Sequence, residues 1–454
     1  MSDYPDLLVL GAGPCGLAAA FHAKQSGLNV QLLDAGAQPG GRMRSSIEHL
    51  NGKELVIEHG PVGWAGPAPE AEAACAALGL EPIDSAAADS HRYLVHGDKL
   101  VPFPQSFAAM STCKLLSVRE KLRVASEKWA DFAPEGKEET FHELFARRFG
   151  DAFASKIVGP VVRGLFADDP RTASIHALLP GIPAAELKHG SLSKALKQQP
   201  ELFGASIRSL PRGLSQLADA LAKPLGDAYT PSCRVDSAVR EQGWWFLFCE
   251  GQQVAVGRQL AVCLPAQQAG LVLREYLPRG PESLARFCGP DLASVSVLHR
   301  LDALPDPCAG FGILPPIDHS SPVLNVQFGH SIFPQHVPEG WALLRGMLGG
   351  DADPKILQRS DAELVDILSA DLHRWVGAPL RPERSWVTRI PGGVPHYGLG
   401  YQASRDALLE DLKVVQSLHL GGDAWFGIGI DAALTRGAAI AQAAQRDHSA
   451  QLSS

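Results

Sequence analysis

The stretch LLVLGAGPCG at residues 7–16 decides the fold of this chain. Its first four residues, Leu7–Leu10, form a short apolar run typical of a strand that is buried on both faces of a parallel sheet. Small, helix-favouring residues follow at 17–24, and a second apolar run at 29–33 ends at Asp34. A strand, a glycine turn, a helix, a strand and an acidic residue in this order predict a dinucleotide-binding unit of the Rossmann type.

The glycines of this turn have separate predicted roles. Gly11 permits the tight turn, Gly13 lets the backbone approach a pyrophosphate, and Gly16 allows the helix to pack closely. Asp34 is placed to accept a hydrogen bond from a ribose hydroxyl. The other predicted cofactor contacts of this unit are Pro14, Cys15 and Ala35. The alternative is an ordinary glycine turn of an α/β domain.

A second pair of glycines and an arginine indicate which dinucleotide is bound. Gly40-Gly41-Arg42 follows Asp34, so the main chain can pass close to a ligand at Gly41. The guanidinium of Arg42 can hold an anionic phosphate with its fixed fork of donors. An NAD-binding fold has no need of this second clamp, so the pattern favours FAD.

The C-terminal region contains a matching unit. Residues 418–420 are typical of a buried strand, which leads into Gly421-Gly422-Asp423 and then into a helix of small residues at 431–445. The N-terminal end of such a helix suits a reduced flavin, which gathers negative charge. We therefore predict FAD as a non-covalent cofactor. Its predicted contacts here are Gly422, Asp423, Gly429 and Ile430.

The middle of the chain adds a third piece of the same domain. A helix-like run ends at Ala222, and short strand-like segments follow around Val235, at 244–248 and at 254–256, before a last one at 261–264. Strands bounded by glycine and proline predict a small meander that returns to the parallel sheet, with Val235 near the cofactor. The sequence has no second strand-linked Gly-x-Gly-x-x-Gly. We therefore expect electrons to come from the substrate and to leave to oxygen or another acceptor.

Composition excludes several classes of protein. The 454 residues are 45% hydrophobic and 20% charged, with a net charge of −8 and no basic tract, so nucleic acid is not an expected partner. The eight cysteines are scattered without a Cys-x-x-Cys pair, which favours buried thiols in a reducing compartment over a metal site. The N-terminus lacks the form of a signal peptide or a membrane-spanning helix. The prediction is a cytoplasmic enzyme that acts on a small molecule.

These motifs together resemble the flavin amine oxidase superfamily. Within it, four interior segments are similar to the porphyrinogen oxidase family. RGLFADDP at 163–170 is similar to its Gly-(Val/Ile)-(Phe/Tyr)-Ala-Gly-Asp core, and GFGILP at 310–315 to its Gly-Phe-Gly-x-Leu-Val-Pro strand. MLGG at 347–350 matches its Met-Leu-Gly-Gly, and VPHYGLG at 394–400 resembles its Ile-Pro-Gln-Tyr-x-x-Gly. The resemblance covers nearly the whole chain in the right order.

The resemblance implies an α/β fold with three parts. A discontinuous Rossmann-like FAD domain of the p-hydroxybenzoate-hydroxylase type comprises residues 1–80, 206–265 and 386–454. An α+β substrate domain comprises 81–109 and 266–385, and a helical insertion comprises 110–205. In relatives the insertion touches the membrane. Here the insertion carries Lys114, Arg119, Lys121, Arg123 and Lys128, for which we expect a solvated helix face, with weak peripheral membrane contact as the alternative.

The resemblance also implies the site residues and the reaction. The flavin contacts extend to Gly60 and Pro61, and the substrate pocket lies over the flavin, lined by Gly164, Phe311, Gly312, Leu314 and Met347. Arg163 and Arg345 are the candidates to bind substrate propionates, or else to pair with a carboxylate such as Asp168. A porphyrinogen, which is a tetrapyrrole, is oxidised at flavin N5 with oxygen as acceptor, and no protein side chain is predicted to be catalytic.

Several departures from the family pattern keep alternatives open. The arginine that follows Gly-Pro in some relatives is missing, since 62–65 reads VGWA after Gly60-Pro61. Gly422-Asp423 replaces the usual Gly-Asn, and Gly400-Tyr401 replaces Gly-His. The lining residues could also be plain core, and Gly164 could serve only a turn. Another flavin oxidoreductase, acting on a specialised metabolite, an amine or a polyene, and a non-enzymatic flavin-binding protein remain alternatives.

Overall fold

A computed structural model describes residues 4–86, 91–198, 206–277, 280–305, 308–377 and 381–453. Strands and helices are mixed along the chain. The strands are β1 (Leu7–Leu10), β2 (Val30–Leu33), β3 (Ser45–Leu50), β4 (Lys53–Glu58), β5 (Trp64–Ala65), β6 (Ile83–Asp84), β7 (Arg92–His96), β8 (Lys99–Pro102), β9 (Ile207–Ser209), β10 (Tyr229–Thr230), β11 (Ser237–Glu241), β12 (Trp244–Cys249), β13 (Gln252–Gly257), β14 (Gln259–Val262), β15 (Leu292–Arg300), β16 (Gly312–Leu314), β17 (Val323–Phe328), β18 (Trp341–Gly349), β19 (Arg384–Ile390) and β20 (Leu418–Leu420). The helices are α1 (Pro14–Gln25), α2 (Pro69–Ala77), α3 (Phe107–Thr112), α4 (Val118–Ala125), α5 (Phe141–Phe149), α6 (Asp151–Phe153), α7 (Gly159–Phe166), α8 (Ile175–Leu178), α9 (Gly181–His189), α10 (Leu192–Gln198), α11 (Ser215–Ala222), α12 (Ala266–Val272), α13 (Gly329–Ile332), α14 (Asp361–Val376), α15 (Tyr401–Leu412), α16 (Asp423–Phe426) and α17 (Ile430–Ser453).

The first sheet is parallel and joins strands from three separate stretches of the chain. Its order is β10-β2-β1-β14-β20, and every pairing in it is parallel. The central strand β1 is buried on both faces, as its apolar run predicts. The N-terminal, middle and C-terminal parts of the chain therefore meet in one sheet, and the predicted Rossmann-like α/β class is confirmed.

Alternate side chains of β1 pack on opposite sides of this sheet, because successive residues of a strand point to opposite faces. Leu7 and Val9 belong to the apolar cluster that includes α1, α11 and α17. Leu8 and Leu10 belong to the cluster that includes Trp245 of the β11–β13 meander. Layers on both faces hold β1, so the turn that follows it has a fixed position.

The second sheet has seven strands in the order β19-β15-β18-β17-β16-β7-β8. One face is apolar: Val295 and Val297 of β15 and Leu344 and Leu348 of β18 form one cluster with the α14 residues Leu364, Leu368 and Leu372. The other face carries buried polar side chains, among them Ser294, Ser296 and Arg345. Burying polar groups is costly unless they are hydrogen-bonded, and Arg345 offsets that cost by donating to Ser294 Oγ on the neighbouring strand.

Two sequence-based expectations need correction here. The boundary predicted between residues 385 and 386 falls inside β19, because this strand pairs along β15 of the second sheet. Val235, expected within a strand of the meander, precedes β11, which begins at Ser237. The remaining domain boundaries stay predictions, and the predicted end of the insertion at residue 205 lies outside the described residues.

A buried ion pair organises the helices of the insertion. Arg148 on α5 is fully buried and donates through Nε to Glu127 Oε1 at 2.8 Å. Glu127 also accepts hydrogen bonds from Ser191 Oγ at 2.6 Å and from the N–H of Leu192, at the start of α10, at 2.9 Å. The pair therefore ties α5 to α10.

Within the described residues, no helix is both long enough and apolar enough to cross a membrane.

We predict that Glu127→Ala lowers the free energy of unfolding by about 3–5 kcal/mol, because it leaves the Arg148 charge buried without its carboxylate. Denaturant unfolding monitored by circular dichroism measures this change. Glu410→Ala is the matched control: it removes a carboxylate paired with Lys413 at the surface and should cost less than about 1 kcal/mol. Equal losses in the two variants would contradict the organising role of the buried pair.

Candidate active site

The turn after β1 is built from glycines that touch other backbone segments. Gly11 has φ +97°, and a Cβ there would lie 2.5 Å from the carbonyl oxygen of Cys263. A Cβ at Gly16 would overlap the carbonyl oxygen of Gly11. Gly13 differs, because no atom of the described residues lies within 4 Å of a Cβ placed on it. Gly11 and Gly16 are therefore required by the protein's own packing, whereas Gly13 faces open space.

The start of α1 is open to an anion. α1 begins at Pro14, and it has neither a side-chain cap nor an acidic residue in its first turn. The first N–H groups of a helix lack partners within the helix, and the helix dipole adds partial positive charge there. This end of α1 can therefore hold a phosphate group in the space beside Gly13.

Asp34 lies directly beside this turn. Its Oδ2 accepts the N–H of Ala12 at 2.7 Å, and its Oδ1 accepts the N–H of Gly36 at 2.6 Å. A carboxylate can accept about four hydrogen bonds, so acceptor capacity remains for ribose hydroxyls. The neighbouring Ala35 is exposed, and the chain that leads to Val235 runs alongside, since the N–H of Cys233 donates to the Asp34 carbonyl at 2.8 Å.

The second glycine pair packs on the first turn. The N–H of Gly40 donates to the carbonyl of Ala12 at 2.7 Å, and a Cβ at Gly41 would lie 3.1 Å from Cα of Gly13. A Cβ at Gly60 would overlap the carbonyl oxygen of Arg42, so the segment with Gly60 and Pro61 is part of the same assembly. The structure brings the predicted N-terminal cofactor residues together at one place.

Arg42 connects two segments that are far apart in the sequence. Its Nη1 lies 2.6 Å from Asp423 Oδ2, and its Nη2 donates to the carbonyl of Gly392 at 2.6 Å. Asp423 follows the strand β20, and Gly422 and Gly429 have φ +110° and +112°, which favours glycine at both positions. The ion pair therefore places the C-terminal glycine segment, up to Ile430 at the start of α17, beside the N-terminal turn.

The first turn of α17 is free to bind a ligand because the side chain of Asp431 is engaged by another helix. Asp431 could cap its own helix, but its Oδ1 accepts the N–H groups of Glu70 and Ala71, at 2.8 and 2.9 Å. Asp431 thus caps α2. No side chain or backbone of the described residues lies within 4 Å of a Cβ placed on Gly429, so there is room for a ligand before α17.

A cavity of about 400 Å³ lies at the carboxyl ends of the parallel strands. In an open α/β sheet, this edge is where ligands bind. Gln268 lines the cavity, and its buried Oε1 has no hydrogen-bond donor among the described residues. A donor on a bound ligand would satisfy that oxygen. The lining residues are Arg42, Pro265, Ala266, Gln267, Gln268, Phe287, Cys288, Gly289, Pro290, Asp291, Gly350, Asp351, Pro354, Gly392, Pro395 and Asp423.

Arg345 links the polar face of the second sheet to the cofactor side. Its Nε donates to Ser294 Oγ at 2.8 Å, its Nη1 donates to Gln327 Oε1 at 3.1 Å, and its Nη2 donates to the carbonyl of Gly60. Burial lowers the pKa of Arg345 to about 10. Burial also raises the pKa of nearby Glu58 to about 7. Arg345 therefore supports the Gly60 segment, and its contact with a substrate propionate stays a prediction.

Arg163 is occupied by backbone oxygens. Its guanidinium donates to the carbonyls of Pro316 at 3.0 Å and Ser321 at 3.3 Å. It does not pair with Asp168, the carboxylate considered for it, because Asp168 Oδ2 lies 2.9 Å from His396 Nδ1. The contacts of Arg163 fix the loop before β17, and a substrate contact from this side chain stays a prediction.

Three of the predicted pocket residues converge around the C-terminal end of α7. A Cβ at Gly164 would lie 2.5 Å from Leu314 Cδ2, so glycine lets α7 pack directly on β16. Met347 packs with Ala167, the residue after α7. Phe311 lies in a different cluster, with Ile332 and Phe333. A Cβ at Gly312 would overlap the carbonyl oxygen of Val326, which requires glycine for sheet packing.

Sequence reasoning missed several residues of the cavity wall. Phe287, Asp291 and Gln268 lie in segments without a glycine motif, and the hydrogen bond from Tyr397 Oη to the Asp423 carbonyl has no sequence signal. Gln268 could have been found, because it follows β14 and the carboxyl ends of parallel strands meet at one edge. The other segments reach the cavity only through long-range packing.

Comparison with known proteins gives a family and several relatives. A family model described as flavin containing amine oxidoreductase matches residues 14–445. A chloroplastic protoporphyrinogen oxidase of Nicotiana tabacum is 24% identical, over 94% of this chain and 82% of that protein. The coproporphyrinogen III oxidase of Bacillus subtilis is 24% identical, over 95% of this chain and 96% of that protein.

Solved structures share the fold. A candidate protoporphyrinogen oxidase from Exiguobacterium sp. 255-15 has a TM-score of 0.85 at 22% identity, over 98% of this chain and 99% of the other. Reduced UDP-galactopyranose mutase has a TM-score of 0.73 at 17% identity, over 96% and 95% of the two chains. A flavin family together with a dinucleotide-binding turn identifies the cofactor as FAD, and the residues around Gly13, Asp34 and Gly429 fit it.

We predict that Gly13→Val folds but does not retain FAD. Among the described residues, no atom lies within 4 Å of a Cβ on Gly13, so we expect the valine side chain to fit and to occupy the volume for the cofactor phosphates. Bound flavin is measured by absorbance after gel filtration, and folding by thermal unfolding. Gly16→Val is the contrasting variant, because its side chain overlaps backbone and should prevent folding. Stoichiometric FAD in folded Gly13→Val would contradict the assignment.

Proposed function

This chain belongs to the family of flavin-containing amine oxidoreductases, and we propose that it dehydrogenates a porphyrinogen to the porphyrin in successive two-electron steps, with oxygen as the final acceptor. The observation that carries this proposal is the similarity to two kinds of porphyrinogen oxidase along 94–95% of the chain. Similarity of that extent includes the insertion and the polar sheet, which are the parts outside the dinucleotide-binding unit. Protoporphyrinogen and coproporphyrinogen are the two substrates named by these relatives.

The residues near the end of α7 have the character that a flat macrocycle requires. Leu314, Met347 and Leu324 offer apolar surface, and Gly164 allows close approach of the backbone. An apolar slot excludes water and orients the reacting carbon by its shape. Met347 packs against the cluster that contains Leu324, and Leu314 packs against Gly164, so a flat macrocycle requires these side chains to move apart.

FAD supplies the acceptor for the electron pair that leaves the substrate. The role of the protein itself is to hold FAD and the substrate in position. When FAD is bound, the turn at Gly13 and the start of α1 would hold the diphosphate and Asp34 would hold the ribose. Arg345 fixes the segment of Gly60 against the polar sheet.

The direct test is incubation of the purified protein with protoporphyrinogen or coproporphyrinogen in air. We expect porphyrin fluorescence and hydrogen peroxide to rise together, faster than in the absence of protein. Flavin-free Gly13→Val protein is the control for uncatalysed oxidation. No rate above that control with either porphyrinogen would contradict the proposal. Oxidation of an amine or a polyene in its place would favour the alternative within the same family.

A second proposal concerns the surface of the insertion, for which the sequence favoured a solvated face. Large apolar side chains are exposed there, with exposed fractions of 76% for Val118, 67% for Leu122 and 73% for Trp129. Lys114 and Lys128 lie nearby in the chain and are also exposed, whereas Arg123 donates to the carbonyls of α5 and belongs to the core of the insertion. Apolar side chains beside lysines suit the surface of an anionic membrane. We therefore propose peripheral attachment through this patch of Val118, Leu122 and Trp129.

We predict that the protein cosediments with vesicles that contain phosphatidylglycerol and less with vesicles of phosphatidylcholine alone. Leu122→Glu combined with Trp129→Glu should weaken the binding at least about tenfold, because both side chains lose their transfer into the interface. Val414→Glu, at an exposed apolar residue outside the insertion, is the matched control and should bind like the wild type. Equal binding by all three proteins would contradict attachment through this patch.

A further inference from the structure

His396 and Asp168 form a hydrogen-bonded pair near the cavity, and the cofactor contacts described above do not involve it. His396 Nδ1 lies 2.9 Å from Asp168 Oδ2, and Asp168 Oδ1 accepts the N–H of Asp169 at 2.9 Å. The Asp168 side chain is 8% exposed and the His396 side chain is 37% exposed. A carboxylate only accepts hydrogen bonds, so it places the ring proton on Nδ1 and leaves Nε2 to exchange a proton.

The pair lies where three parts of the chain meet at the cavity. His396 directly follows Pro395, which lines the cavity. Asp168 directly follows Ala167, and a Cβ at Gly350 in the cavity wall would lie 3.6 Å from the Ala167 carbonyl oxygen. Ala167 also packs with Met347 in the predicted substrate slot. Each member of the pair therefore directly follows, in the chain, a residue that lines the cavity (Pro395) or approaches its wall (Ala167).

Space and charge around His396 suit proton exchange. Gly398 leaves room beside the ring, because a Cβ there would lie 2.6 Å from Nε2. The hydrogen bond that His396 Nδ1 donates to Asp168 raises the pKa of His396, and the charges of Asp168 and Asp351 raise it further. Burial and the charge of Arg286 lower it. The net effect is a pKa of the His396 imidazole above its ordinary value.

The two residues are also the points at which two sequence segments depart from the family pattern. Asp168 stands where the pattern Ala-Gly-Asp has its glycine, and His396 stands where Ile-Pro-Gln-Tyr has its glutamine. The two departures are 228 residues apart in the chain, yet the structure joins them in one hydrogen bond. The acid and the base thus contact each other at two positions where this chain differs from the family pattern.

We propose that His396, oriented by Asp168, is the catalytic residue that accepts the proton released from a substrate nitrogen during dehydrogenation. This inference rests on the proposed function. In the first two steps a methylene C–H bond would break and its hydrogen leave with the electron pair to FAD, while a pyrrole N–H bond breaks and its proton passes to Nε2. In the third step the proton would come from the last methylene carbon, so that four C–H and two N–H bonds are lost overall. A new double bond in the substrate balances the two electrons and two hydrogens removed. The proton then passes from Nε2 to solvent through the exposed side of the ring.

The test compares His396→Gln, Asp168→Asn and the wild type, all loaded with FAD. Because the base must be unprotonated, wild-type kcat falls as the pH drops through the raised pKa of His396. Asp168→Asn removes the group that raises this pKa, so the fall should move to lower pH. His396→Gln should lose the pH-dependent step and lower kcat on the order of 100-fold. NMR titration of the His396 ring in wild type and Asp168→Asn measures the same pKa shift without turnover.

His142→Gln is the matched control, since it removes another histidine paired with an aspartate, His142 with Asp151 at 3.1 Å, in the insertion. It should keep the wild-type pH profile. An unchanged kcat and profile in FAD-loaded His396→Gln, with an active wild type, would overturn the proton-acceptor role alone. An NMR pKa that does not fall in Asp168→Asn would overturn the orienting role of Asp168. A wild type inactive with both porphyrinogens would overturn the proposed function itself.

Discussion

Contact between bare main-chain segments at the carboxyl edge of the parallel sheet is the constraint on which the site depends. Gly11 lies against the carbonyl of Cys263, and Gly41 lies against Gly13. Side chains at these points would push apart the loops that follow β1, β2 and β14. Because the loops stay together, the N–H groups at the start of α1, the carboxylate of Asp34 and the guanidinium of Arg42 face one region. Glycine packing thus determines the geometry of cofactor binding.

The sequence predicted this half of the molecule well, for a physical reason. β1 and β20 have the predicted bounds, because short apolar runs between glycines have few other ways to be buried. The order of strand, turn, helix and acidic residue is local, so it can be read within about 30 residues. No local pattern predicts the pairing of Arg42 with Asp423, but the two motifs that contain these residues both predict a site for the same flavin.

The remaining half depends on long-range packing that local patterns do not encode. Arg163 and Arg345 are candidates for substrate propionates or for a protein carboxylate. In the structure the first binds carbonyls of a loop, and the second binds Ser294, Gln327 and Gly60. A buried arginine needs many acceptors, and the sequence does not tell whether they come from protein or ligand. No local pattern predicts the hydrogen bond between His396 and Asp168, because 228 residues separate its partners.

The central claim is that a single bound FAD takes electrons directly from a porphyrinogen in the adjoining slot. Anaerobic mixing of the FAD-loaded protein with coproporphyrinogen or protoporphyrinogen tests it most directly, with the flavin absorbance as the signal. We expect the yellow colour of the oxidised flavin to bleach as porphyrin forms and to return when air is admitted. A flavin that stays oxidised in the presence of both porphyrinogens, while the protein is folded and fully loaded, would contradict it.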